Sequence, residues 1–530
     1  MTIQRRYPIG AEYLGGGETH FRIWAPKAKQ LEVDLETAPG EILSTHRLAP
    51  EEDGYFAGVA PAEPGTLYRF RLNRAAHSHP DPASRYQPLG VHGQSRVVDP
   101  STFQWTDANW RGVQLKGQVL YEMHVGTFTR EGTWRAAAAQ LQQLRDDGIT
   151  VIEMMPVNAF PGEFGWGYDG VDLFAPCRVY GEPDDLRAFV NEAHRVGMAV
   201  ILDVVYNHLG PEGNYLGCFA DAYFTDRYEN DWGSALNIDG PDSAPVREFF
   251  ITNARYWIEE FHFDGFRFDA TQDVKDASDE YILCSVGKAA RQAAGDRDLI
   301  FIAENEPQQI KTVLPCDKGG DGLDGIWNDD FHHTARVALT GKTDAYYSDY
   351  RGTPQEFVSV AKYSYLYQGQ YYRWQKKRRG TPTFGIAPAH FVNFIENHDQ
   401  LANSAFGLRT SALSSPGRHR AMTALLLLGP QTPMLFQGQE FGASTPFLFF
   451  ADHHAELARS VRKGRADFLS QFPNVALDEV RSLLPDPADP MTFQRCKLDV
   501  SERERHAVAY ALHRDLLRLR RADPTIRAQG

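Results

Sequence analysis

Cysteine is scarce in this chain. There are five in 530 residues (Cys177, Cys218, Cys284, Cys316 and Cys496), odd in number, scattered and without close pairs. That fits reduced thiols in a cytoplasmic protein better than a disulfide framework or a zinc site. Long apolar runs are also missing. Stretches such as Ala424–Leu428 fall far short of the roughly 20 residues a bilayer demands. Met1–Gly10 carries two arginines but no apolar segment, so no secretory leader is expected. Positive charge is in deficit. The net charge of −14 is repelled by nucleic acid and by anionic membrane surfaces, so neither is expected as a partner. Fine-grained repeats and low-complexity tracts are absent as well.

What remains is ordinary globular material in quantity: 42% hydrophobic and 23% charged residues, with length enough for two or three domains. The first hundred residues read as β. Leu31, Val33 and Leu35 alternate with acids, and Tyr68, Phe70 and Leu72 alternate with Arg69, Arg71 and Asn73, between turns such as Ala38-Pro39-Gly40. Period-2 patterning of this kind predicts a small immunoglobulin-like β-sandwich. With the irregular segment that follows it, this domain is expected to occupy residues 1–105.

Beyond it the rhythm changes. Short apolar runs alternate with helix-period stretches: Val119–Val125, Ile149–Met155, Ala199–Val205, Gly265–Asp269, Leu299–Ala303, Gly325–Asn328, Phe391–Ile395 and Pro433–Phe436. Between them lie helical patterns such as Thr133–Asp146, Pro183–Val196, Ser243–Phe261, Ser278–Ala293 and Arg418–Leu428. Near-continuous apolar strands alternating with helices predict a parallel sheet covered on both faces. Eight of them favour an α/β fold closed as a (β/α)₈ TIM barrel over residues 106–530.

In such a barrel, residues just after each strand converge on one mouth. Here they are polar and chemically pointed: Asp203 to His208 after the third run, Arg267-Phe268-Asp269 at the fourth, Glu304-Asn305 at the fifth and Glu396-Asn397-His398-Asp399 at the seventh. A lone Asp after a strand is more often a cap than a catalyst. Several acids, two histidines and an arginine at the same relative position point to chemistry instead. Glycosidic cleavage needs one ionised carboxylate to attack and one protonated carboxylic acid to donate. Arg267 lies two residues before Asp269, so it projects to the same side and would keep it ionised. Glu304 would then be the general acid and base, and Asp399 would grip hydroxyls of the distorted sugar.

These four segments resemble the signature regions of the α-amylase superfamily, glycoside hydrolase family 13. The resemblance implies Asp269 as nucleophile, Glu304 as acid/base and Asp399 as transition-state stabiliser. Asp203, His208, Arg267, Asn397 and His398 would support the scissile sugar. Further stretches are similar to one family within that superfamily, the malto-oligosyltrehalose trehalohydrolases. They are Gly165–Val171, Asn207–Leu216, Trp232-Gly233, Trp327–His333 and Asp452–Leu457, with Phe21–Pro26 matching the N-terminal sandwich that branching and debranching enzymes also carry. The resemblance implies hydrolysis of the α-1,4 bond next to the terminal trehalose of a malto-oligosyltrehalose, with water as co-substrate. Tyr168, and with it Trp166, is expected to offer an aromatic face to the sugar.

No cofactor and no metal is expected. Adjacent His332-His333 and His453-His454 diverge within any regular element, which argues against a metal, and the resemblance implies loop structure or substrate hydrogen bonds for them. Asn207 lacks an acidic cage for Ca²⁺. Lys376–Arg379 reads as a solvated stretch. Ala270–Asp273 lacks the Lys-His pair of many amylases, so contacts past the cleavage point should differ. The chain ends where the family's C-terminal β-domain would begin, and that domain is expected to be absent. Two rivals stay open: a glucan branching or debranching enzyme, and a non-catalytic glucan-binding protein on the same barrel.

Overall fold

Eight short strands close into a parallel barrel in the computed structural model, which describes residues 4–529. Residues 1–3 and 530, the outer ends of the two expected domains, lie outside the described residues. The barrel strands are Leu120–Met123, Val151–Met154, Ala199–Val204, Gly265–Phe268, Ile300–Ala303, Gly325–Trp327, Phe391–Phe394 and Thr432–Phe436. The eighth pairs back onto the first, Met434 opposite Leu120 and Phe436 opposite Glu122. Every residue in these strands is buried, which is why they read as continuous apolar runs.

Strand parity divides the barrel. One set of residues, including Tyr121, Ile152, Leu202, Phe266 and Phe301, faces outward against the helices. The alternate set, including Leu120, Val151, Ile201 and Ile302, fills the floor of the interior. Two positions further up the same inward rows stand Glu122, Glu153, Asp203 and Glu304, so the interior is apolar below and ionisable above.

Local signals place the helices. Pro183–Arg195 begins with proline in its first turn and a capping box between Glu182 and Asp185. The expected helix over 133–146 is instead two pieces, Trp134–Ala138 and Leu141–Asp147, the second ended by Gly148 at φ 112°. Ala507–Ala522 packs against the helix Pro416–Leu428, with Arg520 donating to the carbonyls of Leu427, Gly429 and Gln431.

The N-terminal strands, from Gly10–Gly15 to Ser95–Arg96, are antiparallel. The strand Glu41–Pro50 meets Tyr55–Ala60 only through Ala49 and Pro50, so the sheet bends around Phe21, Leu31, Val33, Leu35, Tyr68 and Phe70. Tyr55 donates to Glu248 at 2.7 Å and so ties this layer to a barrel helix.

Three further expectations are corrected here. Cys284 and Cys316 are disulfide-bonded, not reduced; the helix Ile282–Ala294 and the turn after the fifth strand bring their Cα atoms to 6.1 Å, while Cys177, Cys218 and Cys496 are free. His332 and His333 lie in no loop and on no open surface: Asn328 caps a helix over Asp329–Thr340, and both rings are buried inside it. Lys376, Lys377 and Arg378 are exposed as a basic run should be, but Arg379 is buried among Glu306, Asp329 and Asp330. Among the described residues no helix is long and apolar enough to cross a membrane.

Candidate active site

Register brings the acids together. Asp203 and Arg267 are direct neighbours on the third and fourth strands. The ladder continues one residue past the strands, with Asp269 N–H donating to the Val204 carbonyl at 3.1 Å and Glu304 N–H to the Phe268 carbonyl at 3.0 Å. Asp269 thus points inward with Arg267, and Glu304 joins them from the fifth strand.

Arg267 is the hub, and its side chain is 0% exposed. Nη1 donates to both oxygens of Asp203 (2.9 and 2.8 Å) and to Asp269 Oδ1 (2.8 Å), and Nη2 donates to Glu304 Oε2 (2.7 Å). Trp327 lies 4.2 Å from the guanidinium carbon and backs the cation. One positive charge among three carboxylates cannot serve all equally. Burial alone would raise the Asp269 carboxyl. Arg267, then His208, and hydrogen bonds from Arg267 and Asn207 (3.1 Å) outweigh it and hold Asp269 below the usual carboxylate range. Glu304 goes the other way. Burial raises it, Arg267 offsets only part, and the charges of Asp269 and Asp399 add to the rise, to about 8. The environment therefore ionises one acid and keeps the other protonated near neutrality.

The backbone fixes the geometry of Glu304, though the N–H it donates pulls this carboxyl down rather than up. Ala270 sits at φ 38°, a left-handed conformation that costs a non-glycine residue about 1 kcal/mol or more. The turn aims its N–H at Glu304 Oε2, 3.0 Å away, while Thr271 holds the Glu304 carbonyl through its N–H (2.9 Å) and hydroxyl (2.7 Å).

Asp399 opens the first turn of the helix His398–Ala402 and stays 38% exposed toward the mouth. His398 is buried beside it, stacked on Tyr168 with ring centroids 5.1 Å apart at 22°. Tyr168 donates its hydroxyl to Asp203 Oδ2 at 2.6 Å. His208 contacts the Tyr168 carbonyl through Nε2 at 3.1 Å and Asn207 Oδ1 through Nδ1 at 2.9 Å. Over it lies Trp232, 60% exposed, with centroids 6.0 Å apart. Next to Tyr168, Asp169 is tied by His453 to Glu212, at 3.3 and 3.2 Å. A cavity of about 1050 Å³ opens on the far side of Thr271 and Asn305, lined also by Gln272, Tyr281 and Lys311 and by none of the four acids. Among the described residues no cluster of three or more His, Cys, Asp or Glu side chains is arranged to hold a metal ion.

Comparison with known proteins adds lineage to this geometry. Residues 98–235 match the alpha amylase catalytic domain, and residues 8–87 match carbohydrate-binding module 48, the isoamylase N-terminal domain. The malto-oligosyltrehalose trehalohydrolase of Deinococcus radiodurans is 42% identical over 526 residues, covering 98% of this chain and 84% of that protein. The chain belongs to the malto-oligosyltrehalose trehalohydrolase family. The trehalohydrolase of Saccharolobus solfataricus is 39% identical over 84% of this chain and 77% of its own length. Among solved structures, a Salmonella typhimurium protein assigned as an alpha amylase superposes with a TM-score of 0.89 at 40% identity, covering 97% of this chain and 86% of that one.

Within this trehalohydrolase scaffold the candidate residues sort by position. Asp269, Glu304, Asp203, Arg267, Tyr168, His208, His398 and Asp399 converge on one mouth. Trp166 does not. It is 6% exposed, donates its indole N–H to the Leu448 carbonyl at 3.0 Å and packs on Phe447, so it stands behind His398 and offers the sugar no face. Asn397 is buried too, its side chain capping the Gln400 N–H at 2.8 Å, which orients the helix that bears Asp399. Sequence reasoning missed Glu122, Glu153 and the Ala270 N–H. The two glutamates were legible only as acids inside otherwise apolar strands.

Proposed function

We propose that this chain hydrolyses the α-1,4-glucosidic bond next to the terminal trehalose of a malto-oligosyltrehalose, releasing trehalose with retention at the anomeric carbon. The observation that carries the chemistry is the single guanidinium of Arg267 bonded to both Asp269 and Glu304. Two carboxyls held by one side chain fit the close spacing, about 5–5.5 Å, of a retaining pair. Near-full-length identity to proteins named for this reaction supports the substrate.

In the first step an Asp269 oxygen bonds to the anomeric carbon as the bond from that carbon to the trehalose oxygen breaks, and Glu304 passes its proton to the departing oxygen. Asp399 and His398 hold ring hydroxyls whose hydrogen bonds strengthen as the ring flattens. In the second step Glu304 removes a proton from water, the hydroxyl attacks the same carbon, and Asp269 leaves as the free carboxylate. The malto-oligosaccharide departs with its configuration restored. The N-terminal module, matched as carbohydrate-binding, supports an α-glucan as the bulk of the substrate.

Product analysis on maltoheptaosyl-trehalose beside maltoheptaose tests the reading. Trehalose released from the first, in preference to maltose from the second, is expected. New α-1,6 branches would instead favour a branching transglycosylase, and no turnover of either would favour a binding protein. The proposal includes a cytoplasmic site of action, supported by three unpaired, scattered thiols and opposed by the Cys284–Cys316 bond; cell fractionation decides it.

A further inference from the structure

The first barrel strand carries an acid that the scheme above leaves unused. Glu122 shares the inward parity of Leu120, is buried, and reaches the seventh-strand loop from below. It accepts the backbone N–H of His398 at 3.1 Å and the ring Nδ1–H of the same residue at 2.5 Å. A carboxylate only accepts, so Nδ1 is the proton-bearing nitrogen. The remaining nitrogen, Nε2, lies 3.7 Å from Asp399 Oδ1. Were His398 neutral, a bare Nε2 lone pair would face a carboxylate oxygen, acceptor against acceptor. A proton on Nε2 turns that repulsion into attraction. The ring cannot swing away, because Tyr168 stacks on one face and the Trp166 ring meets it at 5.1 Å and 88°.

We propose that Glu122 is a positioning residue for hydrolysis, holding His398 as an imidazolium whose Nε2–H is aimed, beside Asp399, at the hydroxyls of the sugar being cleaved. The proposal rests on the glycosidase reading for its catalytic consequence, though not for the ionisation itself. The surrounding charges agree. Facing the ring are Glu122 on the first strand, Glu153 on the second, Asp203 on the third, Arg267 on the fourth and Asp399 on its own helix. Burial opposes the charged ring, but Asp399 and Glu122 outweigh it and raise His398 to about 9. His124, just past the end of the first strand, is held neutral by burial, which lowers it to about 4. Glu153 is pushed well up by burial, with Glu122 as its next cause, which favours its neutral form.

The test is Glu122→Gln, which keeps the shape and removes the charge, with Glu122→Asp as the charged control. For Glu122→Gln we expect kcat to fall about 10–100-fold, one charged hydrogen bond's worth, with KM within about threefold. Because Glu304, at about 8, already sets the alkaline limb, the readout of the charge is the His398 titration itself, and Glu122→Asp should lose rate but keep that titration raised. Independently of turnover, ring ¹⁵N shifts of histidine-labelled protein, with His398 assigned by its absence in His398→Gln, should show His398 protonated well above the ordinary imidazole range in wild type. They should show it at least a unit lower in Glu122→Gln. A wild-type His398 titrating at the ordinary value, or a titration unchanged by Glu122→Gln, would overturn the proposal. Should Glu122→Gln fail to fold, the wild-type and Glu122→Asp titrations still decide it. If the substrate were wrong, wild type would release no trehalose while the titration held, so the two failures are distinguishable.

Discussion

Replacing Arg267 by lysine isolates what the guanidinium does beyond carrying charge. Arg267 makes four hydrogen bonds to three carboxylates through two nitrogens. A lysine ammonium retains the positive charge but is a single point at the end of a flexible stem, and it cannot span Asp203 and Glu304 at once. One or two charge-assisted bonds are therefore lost, at about 1.5–3 kcal/mol each. Charged to the transition state, that is roughly 10–10⁴-fold in kcat/KM. Two features sharpen the expectation. Asp203 is buried and would lose its bidentate partner, so the variant should also melt earlier. Asp269 is held below the usual carboxylate range chiefly by Arg267 against burial, so weakening the contact should raise it. A depressed carboxyl sets the acid limb of kcat/KM, and a less depressed one moves that limb to higher pH. Initial rates of trehalose release across the acid range, for wild type and Arg267→Lys, measure both effects. A kcat/KM within about threefold of wild type with an unmoved acid limb would refute the assignment of Arg267 as the charge that prepares the nucleophile.

The remaining expectations follow from the same contacts. Wild-type kcat/KM should fall as pH rises through about 8, because the acid must hold its proton to donate it; Glu304→Gln should lose that limb and most activity, yet recover its first step on an aryl glycoside whose leaving group needs no proton. Tyr168→Phe keeps the ring on His398 and removes the 2.6 Å bond to Asp203, so kcat should drop about tenfold with the melting temperature nearly unchanged. Trp166→Phe, at a packing site behind His398, should do the reverse, and a larger loss of turnover than in Tyr168→Phe would return Trp166 to the sugar-contacting wall. Cys316→Ser opens a closure spanning 32 positions, worth about 3–4 kcal/mol on loop entropy, so melting should fall without reductant and match the reduced wild type.

The strand-end acids were legible because a barrel strand changes character abruptly where it leaves the core. Five apolar residues, Leu299–Ala303, followed at once by Glu304 have few other readings, and Arg267-Phe268-Asp269 shows its shared face by spacing alone. The glutamates inside the first two strands were hidden for the complementary reason. Glu122 and Glu153 are surrounded by apolar neighbours in sequence, and only the closed register, which sets them opposite each other, shows that they point up the axis. The Cys284–Cys316 pairing has no local signature, since it is made by a helix and a turn that the barrel brings together. Trp166 misled because its loop has no periodicity to say which way a ring faces, and Arg379 because a basic run says nothing of three acids waiting across the fold.

In the proposed hydrolysis, the arrangement around Arg267 also accounts for how Glu304 would act first as an acid and then as a base. In the free enzyme Glu304 is raised by burial and then by the negative charges of Asp269 and Asp399, with Arg267 pulling the other way. When Asp269 becomes an ester with the sugar its charge disappears, and one of the causes that raised Glu304 goes with it. Arg267, still buried and still bonded to Glu304, now has one fewer carboxylate to serve. Both changes lower Glu304, which has just given up its proton to the departing oxygen, so it stays ionised and ready to draw a proton from water. Hydrolysis of the ester restores the Asp269 charge and raises Glu304 again, in time for it to hold the proton it has taken. The shared guanidinium is thus a means of passing information between the two acids. Glu304 is tuned by the covalent state of its partner, and no movement of the backbone is required.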